Sequence, residues 1–116
     1  MAETTFEMTM LLDFYGELLT EKQRECFHLH YDEDLSLAEI AEIMDISRQG
    51  VRDSLVRAKA TLIGTEEKIG LISRFSERRE IISRMSRQLD LLEEQTNGQA
   101  REIVLGLKSE LEAMSI

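Results

Sequence analysis

The sequence predicts an all-α protein, and three observations carry that reading. It contains no proline and few aromatic residues, and the β-branched and aromatic runs punctuated by turn residues that strands need are absent. Its apolar residues recur at steps of three and four, the period of a helix rather than a strand. Thr or Ser followed three residues later by Gln or Glu stands ahead of successive apolar stretches, the reciprocal cap that opens a helix. With 42% hydrophobic residues the chain can build a core despite 32% charged ones. Its 116 residues make one ordinary domain, or a small domain with an appendage.

Met8, Leu11, Leu12, Tyr15, Leu18 and Leu19 predict the apolar stripe of a first helix that ends near Gly16 to Leu19. Thr20 and Gln23 form a capping box that starts a second helix running to about Tyr31. An acidic loop, Asp32-Glu33-Asp34, follows. Ser36 and Glu39 make the next capping box, and the third helix carries Ile40, Ala41, Ile43 and Met44 inward. Ser47 caps a fourth helix with Val51, Leu55, Ala58 and Leu62 inward. Gly64 is expected to close it as the residue after the last turn, with Thr65, Glu66 and Glu67 opening another helix.

Beyond Gly70 the pattern becomes a heptad seam: Leu71, Phe75, Arg78, Ile82, Met85, Leu89 and Leu92, with Arg78 its one polar member. Thr96-Asn97-Gly98 breaks it. A last helix carries Ile103, Val104, Leu107, Leu111 and Met114. The pair reads as a helical hairpin. Neither helix can bury its stripe alone, so they pack on each other, on the first domain or on another subunit. One short partner helix cannot cover the whole seam, and a homodimer is therefore expected through Leu71, Phe75, Ile82, Met85, Leu89 and Leu92. The expected organisation is a domain over residues 1–64 and an interaction segment over 65–116.

The segment "SLAEIAEIMDISRQG", residues 36–50, has the order of a helix-turn-helix. Ala41 is the small residue at the helix crossing, and Ile40, Met44, Ile46 and Val51 flank the corner at Asp45. The start of the second helix is the part that reaches base edges in a major groove. Ser47, Arg48, Gln49 and Arg52 are therefore the expected nucleic-acid contacts, with Arg57 further along. Arginine can hold guanine through two bonds and glutamine can hold adenine likewise. The helix N-terminus with Ser47 suits a phosphate.

Residues 6–60 resemble the YlxM family of small bacterial helix-turn-helix proteins and, more distantly, the region 4 DNA-reading domain of sigma factors. The stretches "LTEKQRE" and "LSLAEIAEIMDISRQGVR" carry the second likeness. The resemblance implies a DNA-binding regulator whose gene lies beside those of the signal recognition particle, and hence a part in that targeting pathway. The alternative is a module that contacts the particle's RNA or its GTPase without reading DNA.

Charge weighs on both readings. The chain is −9 overall, and residues 1–46 hold twelve acids against two bases, whereas residues 47–116 hold eleven against twelve. The surplus acid lies upstream of the reading helix, and the whole field opposes phosphate. Duplex binding is therefore expected mainly at low salt.

Other signals have plain structural readings. Cys26 reads as a small buried hydrophobe and excludes a disulfide framework within the chain. His28 and His30 are two apart and point to different sides of a helix, so they do not make a metal site. The Asp32–Asp34 loop lacks calcium-loop spacing. The arginines at 74, 78, 79, 84 and 87 read as a solvated face with helix pairs to Glu77 and Glu80. No phosphate loop, nucleophile elbow or acid–base constellation is present, so neither an enzyme nor a cofactor is expected. No apolar run is long enough to span a membrane, and the opening "MAETTFEMTM" has no signal-peptide pattern. A cytoplasmic setting is expected.

Overall fold

The computed structural model describes residues 4–115. The parts of the readings above that fall on Met1–Glu3 and Ile116 lie outside the described residues. Among the described residues are α1 (Thr5–Tyr15), a 3-10 turn (Gly16–Leu18), α2 (Glu21–Tyr31), α3 (Leu37–Met44), α4 (Arg48–Ile69), α5 (Leu71–Glu94) and α6 (Gly98–Met114), and no strand. The chain divides into two compact units between Ile72 and Ser73.

In the first unit the helix starts are fixed locally. Thr20 with Gln23 and Ser36 with Glu39 close both bonds of their capping boxes, as expected. A third box, Thr4 with Glu7, opens α1 and was not anticipated. The core joins Met8, Leu11 and Tyr15 of α1, Leu19, Cys26 and Phe27 around α2, Ile40 of α3, and Val51, Leu55, Ala58 and Leu62 of α4. Each helix contributes the stripe its period predicts, and the buried faces converge on Phe27 and Ile40, both fully buried.

Two residues expected inward point outward. Leu18 is 60% exposed. The chain tightens into a 3-10 turn at Gly16, so the apolar stripe of α1 does not continue in register. Leu19 takes the buried place instead. Ile43 is 59% exposed. On α3, Leu37, Ala41 and Met44 lie to one side of Ile40 and pack against the core. Ile43 falls about 60° to the other side of Ile40.

The expected helix end at Gly64 is also corrected. Helix α4 runs through it to Ile69 and stops at Gly70, which takes the left-handed conformation with φ 67° and donates its N–H to the Glu66 carbonyl. Thr65 does not open a new helix; its hydroxyl donates back to the Thr61 carbonyl at 2.7 Å. Long-range bonds hold the last turns in helix. The Tyr15 hydroxyl donates to Glu66 Oε1 at 2.6 Å, and that oxygen also accepts the Ile72 N–H at 3.0 Å.

In the second unit α5 and α6 form the expected hairpin, joined at Gln95–Asn97. Gly98 takes φ 60°, which glycine adopts without strain. Lys108 bridges Asp90 at 2.8 Å and Glu93 at 2.6 Å, and Arg101 reaches Glu93 at 3.0 Å. These pairs set the two helices side by side near the turn. Ile82, Val104 and Leu111 are the unit's buried apolar residues. No helix among the described residues is long and apolar enough to cross a membrane.

Candidate nucleic-acid interface

The corner between α3 and α4 is built from backbone bonds. Asp45 takes φ 54° and ψ 48°, the left-handed conformation that usually falls to glycine. The Ile46 N–H donates to the Ala41 carbonyl at 3.1 Å, closing the last turn of α3. Ile46 then packs against the core, which sets the direction in which the chain leaves. Ser47 follows as N-cap of α4, its Oγ accepting the Gly50 N–H at 2.9 Å.

Helix α4 buries Val51, Leu55, Ala58 and Leu62, and with them Ser54, whose hydroxyl has no hydrogen-bond partner among the described residues. The opposite side carries the predicted contacts. Ser47, Arg48, Gln49, Arg52 and Arg57 are all exposed. Arg48 and Arg52 sit one turn apart on one side, and neither forms an ion pair among the described residues. Half-buried Lys59 returns to that side two turns on.

Two of the predicted residues stand apart from that pair. The Gln49 amide donates to Asp53 Oδ1 at 2.9 Å, so one of its two N–H donors is already held within the helix. Arg57 lies about 140° around α4 from Arg52, on the other flank. Val56, 60% exposed, stands between the two flanks. It was not singled out in the sequence, although its place two residues before the buried Ala58 puts it outward.

The electrical setting of the α4 N-terminus differs from those of its neighbours. The first turns of α1, α2 and α3 carry Glu7, Glu21 and Glu39, whereas the first turn of α4 carries no acid. The Ser36 backbone N–H donates to Glu39 Oε1 at 3.0 Å, and this bond first, with the neighbouring Ser36 hydroxyl second, holds that carboxyl below its ordinary value. At α4 the corresponding position is Gly50. The positive end of the helix dipole is left open to an external anion.

The remaining polar clusters are tied up locally. His28 Nδ1 is 2.6 Å from Asp32 Oδ2, and its Nε2 is 3.4 Å from Glu33 Oε1. Asp32 also accepts from the Thr9 hydroxyl at 2.9 Å, so the acidic loop is pinned to α1. Cys26 is fully buried, with Sγ 3.3 Å from Met44 Sδ. Among the described residues no group of three or more His, Cys, Asp or Glu is placed to hold a metal ion. On α5 the five arginines are exposed, and Arg79 lies over the Phe75 ring at 5.7 Å. The expected pairs with Glu77 and Glu80 are not formed among the described residues.

Of the six residues expected to form a dimer seam, Ile82 is buried within the hairpin unit and Phe75 and Leu89 are half-buried. Met85 and Leu92 remain exposed, and exposed Leu71 belongs to the first unit.

Comparison with known proteins agrees with this architecture. Residues 2–103 match the family UPF0122, described as "Putative helix-turn-helix protein, YlxM / p13 like". A UPF0122 protein of Thermoanaerobacter sp. (strain X514) is 41% identical over 110 residues, covering 94% of each chain. One from Bacillus cereus (strain AH187) is 44% identical over 104 residues, 90% of this chain and 94% of the other. One from Caldanaerobacter subterraneus subsp. tengcongensis is 59% identical over 70 residues, 60% of each. With nearly the whole length matched and the helix-turn-helix formed at residues 37–69, the chain belongs to the YlxM-like UPF0122 family.

Proposed function

We propose that the protein binds duplex DNA through the first two turns of α4, as a helix-turn-helix regulator. The observation that carries this is the pair Arg48 and Arg52. Both are exposed and form no ion pair among the described residues, on a helix whose N-terminus is capped by Ser47 and whose first turn carries no acid. A recognition helix enters the groove by its N-terminal residues, and these two can reach bases or phosphates there. The −9 charge of the chain keeps the affinity modest and steeply salt-dependent.

Fluorescence anisotropy of the intact protein with labelled duplex tests the reading. Binding is expected at low salt. Replacing Arg48 and Arg52 together with alanine weakens it at least about tenfold and lowers the salt slope by about two, with the circular dichroism unchanged. Arg57→Ala, on the other flank, changes affinity no more than about twofold. Undiminished binding by the double variant would falsify the assignment, as would a wild-type protein that ignores duplex at low salt.

A second reading is favoured by the acidic first half. A protein or RNA–protein surface of basic character, such as the signal recognition particle or its GTPase, suits residues 1–46 better than a bare duplex does. Capture of particle components by a protein that does not bind duplex supports this reading over the first.

A further inference from the structure

Six of the eight large apolar side chains that the hairpin exposes among the described residues recur in an order that repeats. Ile81, Met85 and Leu92 of α5 and Ile103, Leu107 and Met114 of α6 are between 45% and 61% exposed. Both trios have steps of four and seven. Measured from the buried residue of each helix, Ile82 or Val104, each trio lies about 60–100° round in the same rotational sense. The two helices run antiparallel, and equal rotations on antiparallel helices point to the same side of the pair. The six residues therefore form one face, about 16 Å long. Leu92 and Ile103 lie near the turn, Met85 and Leu107 mid-way, and Ile81 and Met114 at the open end. The other exposed apolar residues, Leu91 and Leu105, fall off this face.

From this arrangement we infer that the face binds a second copy of the chain, forming a homodimer in which two hairpins make a four-helix bundle. Three observations select a second copy. The repeated spacing gives the face an approximate two-fold symmetry, and an isologous interface needs a self-complementary patch. The exposed halves of six such side chains amount to roughly 500 Å² per copy, so pairing two faces removes about 1,000 Å² before bordering residues count, the floor for a specific interface. Self-association is not opposed by charge, because residues 73–115 hold seven Lys/Arg and eight Asp/Glu, net −1, while the surplus acid lies in residues 1–46. The interface shares Met85 and Leu92 with the heptad seam but not Ile82, which is already buried within the hairpin unit.

Sedimentation equilibrium of the intact protein, without DNA, tests the proposal independently of the DNA reading. The wild type sediments as a dimer at tens of micromolar. Met85→Glu with Leu107→Glu sediments as a monomer and keeps its helical circular dichroism, because both side chains are already exposed. The milder Leu107→Gln weakens the dimer at least about tenfold, which keeps the test valid if the double variant unfolds. Leu105→Glu, off the face, leaves the dimer intact. A monomeric wild type overturns the proposal; so does a dimer that survives the Met85 and Leu107 changes, or one that Leu105→Glu disrupts equally.

Discussion

The Tyr15 hydroxyl and the Glu66 carboxylate, 51 positions apart, meet at 2.6 Å and together cap the start of α5. Tyr15 donates to Glu66 Oε1 and accepts the Leu71 N–H at 3.2 Å, while the same Glu66 oxygen accepts the Ile72 N–H at 3.0 Å. Two N–H groups at the beginning of a helix, which have no partner within it, are satisfied in this way. Tyr15→Phe keeps the ring in the core but leaves the Leu71 N–H and one Glu66 lone pair without this partner. Thermal or denaturant unfolding should show a loss of about 1–2 kcal/mol, with little change in helical content.

Gly50 is where stability and DNA binding pull apart. A Cβ there would lie 3.2 Å from Ser47 Oγ, so the hydroxyl must yield by a few tenths of an ångström. At Thr4, Thr20 and Ser36 the cap already coexists with a full side chain three residues on, so the adjustment is accessible. Gly50→Glu should complete a fourth capping box and remove a glycine from the first turn of α4, raising stability by about 0.5–1 kcal/mol. It also places a carboxylate at the open end of α4. Chemical denaturation should show the gain while duplex affinity falls; a gain in both would contradict an anion-accepting N-terminus.

Ser54 is buried on α4 with a hydroxyl that finds no partner among the described residues. Burying an unsatisfied hydroxyl costs free energy that alanine avoids, and alanine is also the better helix former. Ser54→Ala should stabilise the protein by about 1 kcal/mol in urea unfolding. A loss instead would show that the hydroxyl has a partner in solution, such as a bound water.

Glu39 gives a pH signature. Its carboxyl is held below the ordinary value of 4.5 by the Ser36 backbone N–H and hydroxyl. A depressed carboxylate contributes stability that is present above its unfolded value and lost as pH falls through the folded one. The contribution of this cap should therefore fade below about pH 4.5. Glu39→Gln, which retains an acceptor but cannot titrate, should show a shallower loss of stability on acidification. Parallel acid titrations followed by circular dichroism check this, and identical slopes would assign the acid sensitivity to other groups.

Features decided within one turn of chain were legible in the sequence. The boxes at Thr20 and Ser36 need only a hydroxyl and an acceptor three residues on, and both form as read. The corner at Asp45 and the cap at Ser47 follow from the end of one apolar stripe and the start of the next. The break at Thr96–Gly98 is equally local. The exposed positions of Arg48 and Arg52 followed from the helical period once Val51 and Leu55 were placed inside.

Features decided by distant partners were not legible. Gly64 carries the same local signal as Gly70, yet the helix passes the first and stops at the second. Glu66 lies between them and is engaged by Tyr15, a contact that exists only once α1 and α4 are packed together. Ile43 and Leu18 have the period of core residues, but a helix face is buried only where a neighbour covers it, and none covers theirs. In the tail, the sequence determined that two amphipathic helices must share their apolar surface. The tertiary structure decided which part of it the hairpin consumes, at Ile82, Val104 and Leu111, and which it leaves exposed. A heptad pattern records that a face is apolar; only the packing of α5 beside α6 determines which residues that contact covers.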